Sequence, residues 1–395
     1  MNKRKYFFLA LRIVLVIIIV AIMLPIIIDY FGQAVQEETI IGYNASTAYA
    51  RVEQIIEEGQ ITLGEVTQPY QIMLVEILDG AQQGQIYQID YGTRQVRNEK
   101  IHINVGDQIL VTISQNPVNN EYSAYFTDFV RSPALLWLFI IFCIVSVVIS
   151  GWKGLRSLIG ILLSLFVIIF IILPGIRDGR DPLLVTILGA ALFISLSMYI
   201  IYGWNIKTHT AFIGSLISVT ITGLLALVFV NSTRLTGFGD ENVFYIAQLT
   251  SFQLDFRNLL LAGILIGTLG VLDDLVISQS SAIFELFRQN PDLELIPLFK
   301  SGMNIGKDHI AATVNTLVLA YAGASLPMLL LFSFHNIDYG LIVNLEFLAE
   351  EIVRTLVGSL GLFAAVPLTT FLAALIAVNY KKFGEIKLYL GPLNE

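Results

Sequence analysis

Two aspartates, Asp273 and Asp274, stand side by side in GTLGVLDDLVISQ, a segment otherwise apolar for a full helix length. Carboxylates are costly in such surroundings, and where they occur they mark ion or proton paths. Wound as an α-helix at about 100° per residue, Gly263, Gly267, Gly270, Asp274, Ser278 and Ser281 share one stripe about 80° wide. Asp273 lies about 100° round from Asp274 by the same geometry. Glycines at three- and four-residue spacing let a second helix approach closely. The stripe therefore predicts a helix contact that shields Asp274 from lipid.

The next apolar stretch offers a matching face, with Asp308, Ala312, Asn315, Leu319, Ala322, Gly323 and Leu326 on one side and Thr316 at its edge. At 1.5 Å rise per residue, Asp274 and Asn315 both lie about 10 Å from the cytoplasmic ends of their helices. The pattern predicts Asp274 bonded to Asn315 or Thr316, packed by Gly263, Gly267, Gly270 and Gly323. Asp308 and His309 would sit at the cytoplasmic mouth. Such a carboxylate can load and release a proton: Asp274 is the expected carrier, Asp273 a second acid, Asn315 and Thr316 the switching partners. Two other chemistries fit the same residues. A neutral Asp274 could simply glue two helices, or Asp273, Asp274, Asn315 and His309 could carry a metal ion.

These residues need a scaffold in the membrane. The chain has 395 residues, 55% hydrophobic and 14% charged, with mean hydropathy +0.74. A span takes about 20 mostly apolar residues. Eight stretches qualify: about 7–28, 134–151, 156–174, 182–203, 209–230, 258–281, 310–333 and 352–378. The last is overlong and contains Pro367, which predicts a tilt, kink or break. The first follows Lys3, Arg4, Lys5 and Arg12, and its length favours an uncleaved anchor over a signal peptide. Lysines and arginines such as Lys153, Arg156, Lys207, Lys307 and Lys381 then place both termini in the cytoplasm. Only the loop 175–181, with Arg177 and Arg180, disagrees. The single cysteine, Cys143, excludes a disulfide framework or a Cys-based metal site. A net charge of −8 argues against nucleic-acid binding.

Residues 29–131 form a separate block, expected outside the cell, with 14 acidic and five basic residues. QIMLVEILDGAQQGQIYQIDY reads as two strands around a Gly80/Gly84 turn, and VGDQILVTIS as another after Gly106 and Asp107. A small β-barrel or sandwich follows. Its acidity reads as a solvated surface, and His102 is a lone histidine without a partner set. The domain plan is an anchor at 1–28, this β-rich domain at 29–131, a seven-helix domain at 132–380 and a cytoplasmic tail at 381–395.

GILIGTLGVLDDLVISQSSAIFEL, FKSGMNIGKDHIAATVNTLVLAYAGASLPMLLL and GFGDENVFYIAQL resemble the YibE/F-like family of multi-spanning bacterial membrane proteins. The resemblance covers most of the chain and puts the family's helix aspartate at Asp274. A more distant similarity links the last five spans, with aspartate on the third, to half of a resistance–nodulation–division permease and to the Sec accessory export subunits. That layout implies an export-linked, proton-coupled role. Two spans are extra here, the external domain is short, and no intramembrane lysine partner is evident.

The expected function is a proton-coupled transporter or export-assisting permease of the bacterial plasma membrane, not an enzyme. A Gly-x-Gly-Asp intramembrane protease is excluded because Leu272 precedes Asp273. A non-transporting assembly or signalling subunit is the alternative from another class. Expected partners are the lipid bilayer, protons, and a small solute or exported substrate, with a homo-oligomer or second membrane subunit also open. No cofactor or resident metal is expected.

Overall fold

A computed structural model describes residues 45–94, 102–115, 120–249, 254–334, 339–380 and 382. The expected anchor at 7–28 and the tail beyond Lys382 lie outside the described residues. The chain divides into two compact units, 1–155 and 156–395.

The first unit contains one antiparallel sheet of five strands in the order β3-β2-β1-β4-β5. The strands are β1 Ala45–Leu63, β2 Val66–Ile77, β3 Ile86–Tyr91, β4 Gln108–Gln115 and β5 Tyr122–Phe129. The β2–β3 hairpin and β4 agree with the expectation. β1 was not expected as a strand, yet its 19 residues hold the centre of the sheet. Irregularities at Val52/Gln54 and Ile55/Glu57 bend it. Alternate residues Ala48, Ala50, Val52, Met73, Val75, Ile109 and Val111 turn to one buried face. The sheet curls until its two edge strands meet: the ring of Tyr91 lies 4.8 Å from that of Phe126, edge to face. The result is a half-barrel. Helix α1, Ser132–Ser150, follows it.

The second unit is helical, its first helix beginning just before the boundary: α2 Trp152–Arg177, α3 Pro182–Tyr202, α4 Ile206–Ser232, α5 Glu241–Leu249, α6 Phe256–Gln289, α7 Leu295–Ala324, α8 Leu326–Ser333, α9 Tyr339–Ile342 and α10 Glu346–Asn379. Helix starts are capped by side chains that accept otherwise orphaned amides. Asp181 accepts from Leu184, Asn205 from Thr208 and Asp255 from Asn258. Among the described residues six helices are long and apolar enough to cross a membrane, or seven if α7 and α8 count as one bent span. The protein is therefore a polytopic helical membrane protein with a β domain. Of the eight expected stretches the first lies outside the described residues, and these residues carry six or seven.

Two helices depart from expectation. Residues 310–333 were expected as one span, but the chain turns by 64° between α7 and α8. Pro327, in the first turn of α8, explains the break: it disfavours helix at the residue before it and lacks the amide that would continue α7. Conversely, α10 runs unbroken through Pro367. Helix α2 contains a wide turn at Ile168–Ile172, a feature often found beside functional sites.

At the centre, α10 packs on α4, α6 and α7, while α6 also packs on α3. Glycines let these backbones approach. A Cβ at Gly358 would lie 2.6 Å from Thr268, and one at Gly214 would lie 2.8 Å from Thr369 Oγ1. Gly361 faces Thr222, Gly302 faces Ile283, and Gly306 faces Val366. Leu269, Leu272, Leu275 and Val276 of α6 fill the space between them with Ile194, Met198, Leu362 and Val366.

Candidate functional site

Helix phase decides which aspartate is inside. The packed face of α6 is built on Leu265, Leu269, Leu272, Val276 and Gln279, all buried. Asp273 stands beside that face, partly buried, and its Oδ1 is enclosed by protein. Asp274, about 100° round, is exposed on the surface of the chain. At 1.5 Å per residue, Asp273 lies about 25 Å from either end of α6, near its middle.

This corrects the expected pairing. Asp274 is not shielded by a helix stripe. Gly263, Gly267 and Gly270 lie on the same exposed face, and a Cβ at Gly263 or Gly270 would meet nothing within 4 Å. The same holds for Gly323. Only Gly267 is approached, by the Tyr321 hydroxyl, 2.6 Å from its would-be Cβ. Asn315 and Thr316 are exposed, and Thr316 donates to Ala312 O at 3.0 Å on its own helix. Asn315 instead lines a groove of about 580 Å³ between α7 and α10, with Lys307, Val314, Phe363 and Pro367. Asp308 and His309 are exposed at successive positions of α7. The physical reason is that a small-residue stripe specifies where a helix could approach, not that one does. Here the close approaches use Gly214, Gly302, Gly306, Gly358 and Gly361.

Around Asp273 the structure gathers residues the motif did not mark. Ser215 of α4 lies next to its carboxylate, and neither Ser215 Oγ nor Asp273 Oδ1 completes a hydrogen bond. Tyr202, at the end of α3, lies within electrostatic range of both aspartates. Across α4, Thr369 of α10 approaches Gly214, fully buried, with its Oγ1 also unbonded. Among the described residues no lysine, arginine or histidine is a group acting on Asp273. One turn and a half further along, Gln279 ties three helices together. Its amide nitrogen donates to Gly302 O at 2.9 Å and to Thr370 Oγ1 at 2.7 Å. The signal available in the sequence was the density of Ser and Thr within apolar spans, which is ambiguous because most of them serve only their own helix.

A second charged group occupies the start of α10. Glu346 accepts from the Thr236 amide, the Thr236 hydroxyl at 2.7 Å and the Gly237 amide at 3.0 Å. Glu350, 6% exposed, accepts from Gly239 N at 3.0 Å. Together they clamp the loop TGFGD to the bundle. Glu351 pairs with Arg354, and each keeps one enclosed polar atom without a partner. Between α2, α3 and α6 lies an apolar cavity of about 190 Å³, lined by Ile168, Ile172, Gly189, Phe193 and Gly270. Among the described residues no three His, Cys, Asp or Glu side chains are grouped to hold a metal ion.

A family model described as YibE/F-like protein matches residues 138–379. No curated protein matches the chain. No solved structure matches it either.

Proposed function

The chain belongs to the YibE/F-like family, and from that premise we propose that it is a proton-coupled transporter or export-assisting permease of the bacterial plasma membrane, with Asp273 as its carrier. The observation that carries this reading is the enclosed Asp273 Oδ1, midway along a spanning helix and without a basic partner among the described residues. A carboxylate can stay in such a place only if something neutralises it. Loading and unloading of that neutralising charge is what a coupled carrier does. Asp274, on the exposed face, is the accessory acid next to it.

The wider arrangement supports the same reading. The aspartates stand on the third of the last five apolar spans, the position that the half-permease layout gives its acid. The β domain then lies outside the cell, both termini inside, and the bundle performs transport and no covalent chemistry. Gln279, Thr370 and Gly302 lock α6, α7 and α10 together below the site, so a moving element would be α4 or α3 rather than that trio.

The test is proton movement in vesicles reconstituted with the full chain and followed with an internal pH dye. Asp273→Asn keeps size and hydrogen bonding but cannot change charge. It is expected to insert and fold while abolishing proton movement. Wild-type proton movement in that variant defeats the carrier reading and favours the assembly-subunit alternative.

A further inference from the structure

The hydroxyls inside the bundle fall into two groups. Thr210, Ser218, Thr222, Thr268, Ser359 and Thr370 each donate to a carbonyl one turn back on their own helix. That is the usual way for Ser and Thr to be satisfied in an apolar helix. Thr186, Ser215 and Thr369 do not, although they are 0%, 1% and 0% exposed and no solvent reaches these hydroxyls.

Two of these, Ser215 and Thr369, adjoin the same short stretch of α4. Thr369 Oγ1 comes within 2.8 Å of the position of a Gly214 Cβ. Ser215, the next residue, faces Asp273. Asp273 Oδ1, beside Ser215, is unbonded as well. Three helices, α4, α6 and α10, thus each bring one unused oxygen to the Gly214–Ser215 stretch. Only glycine at 214 leaves room for Thr369 there.

The chemistry of the set narrows the occupant. A carboxylate is purely an acceptor and a hydroxyl oxygen carries two lone pairs. The set offers one negative charge, oxygen ligands only, and no soft or nitrogen donor. Soft and borderline metals prefer thiolate or imidazole. Divalent hard cations usually take more than one carboxylate or keep several waters, and Asp274 points to the exposed face. A hard monovalent cation matches both the charge and the donors. The titratable groups within electrostatic range of Asp273 are Asp274 on α6 and Tyr202 on α3, while α4 and α10 bring hydroxyls.

We propose that Asp273, Ser215 and Thr369 form a sodium-ion site, in which Na⁺ and H⁺ compete for the Asp273 carboxylate. This rests on the carrier reading above and specifies its coupling ion.

The full-length protein in detergent is melted at constant ionic strength in sodium, potassium or choline chloride, and ²²Na⁺ binding is measured directly. Wild type is expected to bind about one ²²Na⁺ per chain, displaced as pH falls. Its melting midpoint should rise by about 2–6 °C with sodium alone, saturably. Ser215→Ala and Asp273→Asn should lose the sodium response, and Thr369→Val should weaken sodium affinity at least tenfold. Thr222→Val, which removes a hydroxyl that serves only its own helix, should keep it. If Ser215→Ala does not fold, the ²²Na⁺ stoichiometry of wild type and of Thr369→Val still decides. No sodium-specific binding by wild type, or equal loss in Thr222→Val, overturns the site. If Asp273-dependent proton movement survives that result, the carrier reading stands with the proton as its sole ion. If Asp273→Asn changes neither measurement, both readings fall.

Discussion

Asp273 and Asp274 are neighbours in sequence and opposites in environment: one carboxyl oxygen of Asp273 is enclosed by protein, while Asp274 is exposed on the outer face of α6. The 100° step of the helix separates them. Their substitutions should therefore part company. Asp274→Asn is expected to retain at least half of wild-type proton movement, whereas Asp273→Asn falls at least tenfold, both at wild-type expression. The internal-dye vesicle measurement on the pair decides it, and the opposite ranking would restore Asp274 as carrier.

Glycines in this bundle divide in the same way. Gly361 lies against Thr222 with no space for a Cβ, and Gly263 has open space around it. Gly361→Ala should destabilise by about 1–3 kcal/mol through overpacking, less what helix propensity returns. Gly263→Ala should be neutral or raise stability by up to about 1 kcal/mol. Thermal melting in detergent separates the two, and adding Thr222→Ala to the first should recover most of its loss.

The clamp on loop 235–240 can be released from α10. Glu346 satisfies two backbone amides and a hydroxyl, and Glu350 a third amide. Glu346→Ala should cost about 1–3 kcal/mol, because donors that gave charge-assisted bonds lose their acceptor. Hydrogen exchange should then accelerate at the amides of Thr236 and Gly237 first. Unchanged exchange there would mean that the loop is held by Phe238, whose ring lies 4.6 Å from that of Phe256.

In the β domain a side chain stands in for a strand. Gln71 donates to Ile103 O at 3.0 Å and accepts from Ile103 N at 2.8 Å, all buried. Gln71→Met keeps the volume and leaves both backbone groups bare. It should cost about 2–4 kcal/mol, read as a lowered melting temperature of this domain with the helical unit unaffected.

Orientation is open to a chemical test, because Cys143 is buried at 2% exposure and the chain has one cysteine. Ala81 is exposed on the β2–β3 turn. Ala81→Cys should be labelled by a membrane-impermeant maleimide on intact spheroplasts if the β domain is outside. Labelling only after lysis would reverse the proposed topology.

The linear pattern determined a good deal by itself. Runs of about 20 apolar residues locate the spanning helices, because lipid forces every backbone polar group into internal hydrogen bonds. Gly80, Gly84 and Gly106 marked two turns correctly, because positive φ restricts the residue. β1 was missed since its polar outer residues, among them Glu53, Glu57 and Glu58, obscure the alternation. Tertiary structure decided the rest. Periodicity fixes which residues share a face, but not which face meets a neighbour. The glycine stripe with Asp274 was as regular as the leucine face, and packing chose the leucines, whose bulk fills the space between helices and gains dispersion contacts. The nearness of Asp273 to Ser215 across α6 and α4, and the approach of Thr369 to Gly214, join residues 58 and 155 positions apart, so only the assembled bundle places them together.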